Sequence, residues 1–155
     1  MAAGESTGED AYPYDIAVSF AGEHRAYVAE FVAECRRLGY SVFYDRDMAA
    51  EMWGRNFVVE FRAVYGGTWA RCLAVFISPE YLRKAYPIDE LRAAIAQHQE
   101  RGGRYIVPII IEKGVVPAEL HGVGSLDADS STAVELAAAV AQRLRDWGRQ
   151  PPRPL

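Results

Sequence analysis

The 155-residue chain has two cysteines, two lysines and no long apolar run. Cys35 and Cys72 stand far apart in apolar surroundings and form no CxxC pair, which predicts buried reduced thiols rather than a disulfide or a metal site. No stretch approaches the roughly 20 apolar residues that a membrane-spanning helix needs. The acidic start of the chain also lacks the basic-then-apolar pattern of a signal peptide. We therefore expect a cytoplasmic protein without a membrane partner.

Positive charge is also scarce. The chain has 17 lysines and arginines against 21 acidic residues, and its formal net charge is −4. Nucleic-acid backbones are bound by concentrated basic surfaces, so we expect no nucleic-acid partner. The three histidines, His24, His98 and His121, are not spaced as metal ligands. We predict that they lie on the surface and that the chain has no metal site.

The apolar content of the chain is that of one folded domain. Half of the residues are hydrophobic, which is typical of a globular protein. Residues 1–13, rich in small and acidic side chains, predict a disordered leader, and the proline-containing residues 149–155 predict a flexible tail. The folded domain is expected between them, over residues 14–148.

Strand-like apolar segments alternate with helix-like segments along this domain. The predicted strands lie at residues 16–20, 41–44, 72–77, 105–111 and 124–126. The predicted helices lie at residues 24–38, 57–65, 88–102 and 132–147. Such alternation predicts a parallel sheet with helices on both faces, and right-handed crossovers favour the flavodoxin-like strand order 2-1-3-4-5. Because Pro108 cannot donate to a ladder, we predict a bulge in the fourth strand.

This α/β fold class already indicates where a ligand binds. In open parallel sheets, ligands bind beyond the carboxyl ends of the strands, where the winding direction reverses. Here the reversal lies between the first and third strands. The loops at residues 20–22 and 78–87 therefore form the expected site, with the long loop after the second strand beside them.

Four segments, in this order, resemble those of bacterial Toll/interleukin-1 receptor (TIR) domains. They are DIAVSFAGE at 15–23, VFYD at 42–45 with MWG at 52–54, VFIS at 75–78 and YPIDE at 86–90. The resemblance extends over roughly residues 14–147, nearly the whole predicted domain. It is to standalone TIR domains of the kind found in antiphage defence.

The TIR family includes enzymes that break the nicotinamide–ribose bond of NAD, some hydrolysing it and some cyclising the ADP-ribose product. The resemblance implies that Glu90, early in the helix after the third strand, is the catalytic residue. It implies substrate contacts by Ser19, Phe20, Ala21, Gly22, Asp45, Trp53 and Tyr86. Tyr86 stands where the family commonly has tryptophan, so an aromatic face is kept but its shape is changed. NAD is then the substrate, and no cofactor is expected.

One carboxylate is chemically sufficient for this cleavage. Ordinary glycosidases need two, because one must protonate the leaving group. The nicotinamide of NAD is a cationic pyridinium and leaves as a neutral base without an added proton. A single anionic group near the ribose can stabilise the oxocarbenium-like charge, and an aromatic ring can stack on the nicotinamide.

The resemblance also implies partners. TIR enzymes act as assemblies in which the loop after the second strand completes the site of the next copy, so we expect self-association through the loop at residues 45–54. By analogy alone, the product is expected to signal to a separate effector protein. Whether the reaction is hydrolysis or cyclisation is left open by the sequence.

Several alternatives remain open from the residues themselves. Glu90, shortly after Pro87, also fits an ordinary helix start, where acidic side chains are favoured. Phe20 is equally natural as a core aromatic, and Trp53 as a ring folded over its own domain. The main functional alternative is a non-catalytic module for TIR–TIR assembly. Another is a nucleoside deoxyribosyltransferase, which also uses a glutamate on this architecture.

A phosphoacceptor receiver domain shares the strand order but is excluded by the residues present. Receivers need acidic residues after the first strand and an aspartate ending the third. The chain has Phe20-Ala21-Gly22 and Ser78-Pro79 at those places.

Overall fold

The computed structural model describes residues 12–44, 70–83 and 88–148, and within these ranges it leaves the side chains of residues 82, 83, 88–91 and 93 undescribed. The strands are β1 (Tyr14–Ser19), β2 (Val42–Phe43), β3 (Ala70–Ile77), β4 (Ile106–Ile110) and β5 (Leu126–Asp127). The described α-helices are α1 (Arg25–Arg37), α2 (Pro79–Arg83), α3 (Ile88–Glu100) and α4 (Ala133–Asp146). Short 3₁₀ helices lie at Gly22–His24 and Ala118–Leu120. The predicted helix at 57–65, the tail and most of the leader lie outside the described residues.

The five strands form one parallel sheet in the order β2-β1-β3-β4-β5. This confirms the predicted flavodoxin-like α/β fold and its strand order. The central strand β3 is buried along its length except at Arg71. Its nearly continuous apolar sequence is what a strand covered on both faces requires.

Two apolar clusters lie on opposite faces of the sheet. On one face, α1 and α4 pack against Ile16, Val18 and Phe76. On the other face, Tyr81 of α2 and Ala94 of α3 pack in a cluster with strand residues of alternate register. Successive strand side chains point to opposite faces, so both helical layers are held by the same three central strands.

The helix ends follow signals in the sequence. Gly39, just beyond α1, has φ +98°, which glycine adopts readily and other residues rarely do. Before α4, the Thr132 hydroxyl accepts a hydrogen bond from the Glu135 N–H at 3.1 Å, and the Glu135 carboxylate accepts one from the Thr132 N–H at 2.9 Å. The predicted capping box is therefore confirmed.

The predicted bulge at Pro108 is wrong. The register between β3 and β4 runs without interruption through the pair Val75 and Pro108. In β4, the Ile111 N–H bonds to β3, whereas the Ile110 carbonyl accepts from Ala128 beyond β5. Alternation along the strand turns Pro108 to the β5 side as well, where pairing begins only one residue later. Its missing N–H therefore breaks no rung of the ladder.

Both cysteines are buried, as predicted, and both are free thiols. Burial raises the pKa of Cys35 to about 12 and also raises the pKa of Cys72. Since the thiolate is the reactive form, these two side chains are chemically quiet at neutral pH.

Candidate functional site

The loops that follow β1 and β3 are joined by a buried hydrogen bond. The hydroxyls of Ser19, the last residue of β1, and Tyr81 in α2 lie 2.7 Å apart. Both residues are almost completely buried. The Tyr81 N–H donates to the Ser78 hydroxyl at 3.0 Å, which caps the first turn of α2. These two hydrogen bonds hold α2 at the carboxyl ends of β1 and β3, where the site is predicted.

A second contact lies between the same loops. His24 Nε2, in the 3₁₀ helix after β1, lies 3.4 Å from Glu80 Oε1 in α2. The His24 side chain is 11% exposed and that of Glu80 is 31% exposed. His24 is therefore more buried than its predicted surface position. Residues of α2 therefore contact both the last residue of β1 and the 3₁₀ helix that follows it.

Two aromatic rings and a cation lie where β1 and β2 end. Phe20 and Tyr44 are buried, with ring centroids 5.8 Å apart. The Arg25 guanidinium carbon lies 5.2 Å from the Phe20 ring centroid, within cation–π range. Both rings belong to the apolar cluster on the α1 face of the sheet, as the alternative of a core aromatic at Phe20 expects, and a positive charge lies beside them.

The described residues place four of the predicted substrate contacts at this edge. Ser19, Phe20 and Ala21 are buried, and Gly22 begins the 3₁₀ helix. The Ser19 hydroxyl is engaged by Tyr81, so on the described geometry its first role is to hold α2. That these residues contact substrate stays a prediction.

Glu90 is the third residue of α3, one turn or less from the helix start. Its backbone lies in the described helix, while its side chain lies outside the described part. The predicted contacts Asp45, Trp53 and Tyr86 also lie outside the described residues. The catalytic role of Glu90 therefore stays a prediction.

Sequence reasoning placed the loop at residues 78–87 at this edge but singled out neither Tyr81 nor Glu80 within it, and it did not identify His24 or Arg25. One signal was available, since Ser78-Pro79 is the pattern of a helix cap followed by a first-turn proline. That pattern predicts α2 but not the partner of Tyr81, which lies 62 residues away in sequence.

The opposite, amino edge of the sheet is also polar but differs in construction. The imidazole of His98 lies under β4, where Nδ1 accepts from the N–H of Tyr105 at 3.2 Å and of Ile106 at 2.9 Å. His98 is 7% exposed, so its predicted surface position is wrong. Burial lowers the pKa of this imidazole and keeps it neutral as an acceptor.

A cavity of about 200 Å³ lies at the same amino edge. It is lined by Tyr12, Arg71, Arg101, Arg104, Leu144 and Trp147. Because Arg101 bonds to the start of β3, this cavity is at the far end of the sheet from the candidate site.

Over residues 12–44, 70–83 and 88–148, no group of three His, Cys, Asp or Glu side chains is arranged to hold a metal ion. None of the helices in these ranges is both long and apolar enough to cross a bilayer.

The parallel sheet with the order β2-β1-β3-β4-β5 and helices on both faces defines a flavodoxin-like α/β fold. The family model described as "TIR domain" matches residues 16–147. This chain belongs to the TIR domain family, which confirms the resemblance inferred from its motifs.

One curated relative and one solved structure illustrate this membership. The chain is 31% identical over 134 residues to "3' cyclic ADP-D-ribose synthase AaTIR" from Aquimarina amphilecti, covering 86% of this chain and 41% of that protein. It thus spans about two fifths of the relative's length. The TIR domain of the Toll-related receptor TRR-2 from Hydra magnipapillata superposes with a TM-score of 0.64, at 20% identity, over 88% of this chain and 99% of that one. The latter likeness supports the fold alone.

Proposed function

We propose that this chain cleaves the glycosidic bond between nicotinamide and ribose in NAD, with Glu90 as the catalytic carboxylate. The observation that carries the proposal is the position of Glu90 in the first turn of α3, which follows β3 at the sheet reversal. Family membership and similarity to a cyclic ADP-ribose synthase support the reaction class.

In the proposed reaction, the bond between C1 of the ribose and the pyridinium nitrogen breaks, and its electron pair neutralises nicotinamide. The Glu90 carboxylate stabilises the positive charge that develops on the ribose. Water or a ribose hydroxyl then attacks C1 and loses a proton, which gives ADP-ribose or a cyclic product. A cyclic product is favoured by the relative's activity.

The carboxyl edge offers further groups for NAD. The Arg25 guanidinium, whose carbon lies 5.2 Å from the Phe20 ring centroid, is proposed as the cation that the pyrophosphate of NAD meets. Asp45, Trp53 and Tyr86 are proposed as additional substrate contacts. Self-association through the loop at residues 45–54 is proposed to complete the site, and an effector protein responding to the product is proposed from antiphage systems.

The direct test is nicotinamide release from NAD by wild type, Glu90→Gln and Glu100→Gln. Glu100 is exposed at the other end of the same helix and makes a matched control. We expect Glu90→Gln to lower kcat by about 10²-fold or more, because a charge opposite the developing cation is lost. Glu100→Gln should behave as wild type.

Protein concentration must be varied in this test, since the assembled state is the one expected to be active. Mass analysis of the product separates hydrolysis from cyclisation. If the assembled wild type releases no nicotinamide, the alternative of a non-catalytic assembly module is favoured. Tyr86, which replaces the tryptophan common in the family, is the sequence feature that suggests this alternative. Free nucleosides as substrates test the transferase alternative.

A further inference from the structure

The turn after β4 has an unusual backbone. Glu112 and Lys113 both have φ +56°, although neither is glycine. Side chains other than glycine disfavour this left-handed region, so something must hold the turn in place. The Asp129 carboxylate does so, because Oδ1 accepts from the Glu112 N–H at 2.7 Å and Oδ2 from the Lys113 N–H at 2.8 Å.

The next residue, Gly114, presses against the end of β3. A Cβ added at Gly114 would lie 2.1 Å from the Ile77 carbonyl oxygen and 2.9 Å from Ser78 Cα. No side chain fits this approach unless one of the two backbones shifts. The Ile111 N–H also donates to the Ile77 carbonyl at 3.1 Å. The turn therefore contacts Ile77 and Ser78, where β3 ends and the loop of the candidate site begins.

The contact continues from this pair to the centre of the site. The Ser78 hydroxyl caps α2 by accepting from the Tyr81 N–H, and the Tyr81 hydroxyl meets Ser19 at the end of β1. Hydrogen bonds therefore link Ser78 to both sides of the β1–β3 reversal. Along the chain, α2 precedes α3, the helix that carries Glu90.

We propose that Asp129 and Gly114 are positioning residues for the catalytic helix, acting through the turn at residues 112–114 on Ser78 and α2. This inference rests on the proposed function for its kinetic consequence but not for its structural one. The competing interpretation is that Asp129 stabilises only its own turn. In that case the carboxylate affects unfolding and leaves the loop after β3 unchanged.

The test compares Asp129→Asn and Gly114→Ala with two matched controls. Asp146→Asn changes an exposed carboxylate at the end of α4, and Gly122→Ala adds a methyl group where nothing lies within 4 Å. Asparagine has one acceptor oxygen and can serve only one of the two N–H groups. Amide chemical shifts report the position of residues 78–83, and nicotinamide release gives kcat and KM.

We expect both test variants to shift the amide signals of residues 78–83. We also expect them to lower kcat about tenfold with KM changed less than twofold, because small displacements of a catalytic group cost rate. Both controls should leave these signals and kcat unchanged. If Gly114→Ala does not fold, Asp129→Asn carries the test on its own.

Shifts confined to residues 110–115 and 127–132 would overturn the inference, as would a kcat equal to that of the controls. If wild type releases no nicotinamide, the proposed function fails, and the amide shifts alone decide whether the turn positions this loop.

Discussion

The amino and carboxyl edges of the sheet use similar polar side chains but direct their hydrogen bonds differently. At the amino edge, side chains bond to backbone groups at strand ends. The Asp15 carboxylate accepts from the Ser41 N–H at 2.9 Å, and the His98 ring accepts from the N–H groups of Tyr105 and Ile106. Each of these bonds replaces a ladder partner that the strand end lacks.

At the carboxyl edge, backbone N–H groups are also bonded by side chains, as in the turn held by Asp129, but two further contacts join side chains from different segments. The Ser19 and Tyr81 hydroxyls share a hydrogen bond, and His24 Nε2 lies 3.4 Å from Glu80 Oε1. Such contacts set where loops lie without completing the ladder itself. The difference predicts that substitutions at the amino edge lower stability and leave kcat intact, whereas substitutions at the carboxyl edge lower kcat beyond their effect on stability.

The largest stability effect is expected for His98→Ala. The variant leaves two buried N–H groups without their acceptor, which should lower the free energy of unfolding by about 3 kcal/mol. Urea unfolding measures this loss, and kcat for nicotinamide release should stay within twofold of wild type. His98→Asn places an amide oxygen near the position of Nδ1 and should recover part of the stability. Equal losses for both variants would contradict the acceptor role.

The same residue gives the protein a pH dependence of defined sign. Burial lowers the folded-state pKa of His98 below its ordinary 6.5. The unfolded chain therefore takes up a proton first as the pH falls. The contribution of His98 is complete above about pH 6.5 and declines below it, toward the lower folded pKa. His98→Asn should flatten the unfolding free energy between pH 7 and pH 5, and an unchanged slope would count against this assignment.

The fold was predictable because it depends on patterns that are local in sequence. Apolar runs gave the strands, periodic residues gave the helices, and a parallel α/β sheet then has few possible windings. The spacing of His98 also indicates a buried position, since it extends the apolar helical stripe formed by Ile88, Leu91 and Ile95. The sequence does not show what would bond to a buried imidazole, because its backbone partners depend on where β4 begins.

The edge that carries the candidate site was predictable, but its side-chain contacts were not. The rule that ligands bind at a sheet reversal requires only the strand order. The Ser19–Tyr81 bond and the approach of Gly114 to Ile77 depend on how loops far apart in sequence meet in space. No local spacing encodes such contacts. For the same reason, the effect of Pro108 on the ladder could not be predicted, because it depends on how far β5 extends beside β4.

Tyr81→Phe tests the carboxyl edge and should have an intermediate effect on stability. It removes one hydroxyl and leaves Ser19 without this partner, at a cost of about 1–2 kcal/mol. Because α2 then loses a connection to β1, kcat should fall about fivefold or more. Tyr27→Phe is the control, since its hydroxyl donates to the Ser131 carbonyl on the other helical layer. Similar kcat values for the two variants would mean that the connection between α2 and β1 does not contribute to catalysis.

Arg101→Lys should have the smallest effect and tests how the amino edge is closed. The Arg101 guanidinium lies 4.7 Å from the Tyr12 ring centroid and 4.5 Å from that of Tyr105, and it donates to the Arg71 carbonyl at 3.0 Å. Lysine keeps the charge but not the planar group that stacks between two rings. The free energy of unfolding should therefore fall by about 1 kcal/mol.

Arg104→Lys, an exposed residue lining the same cavity, is the control for this change and should be neutral. Neither variant should alter kcat, because the strand ends they touch lie at the opposite edge of the sheet from α2 and from the first turn of α3. If Arg101→Lys lost activity without losing stability, the amino edge would take part in function. That result would contradict the expectation that amino-edge substitutions change stability and leave kcat intact.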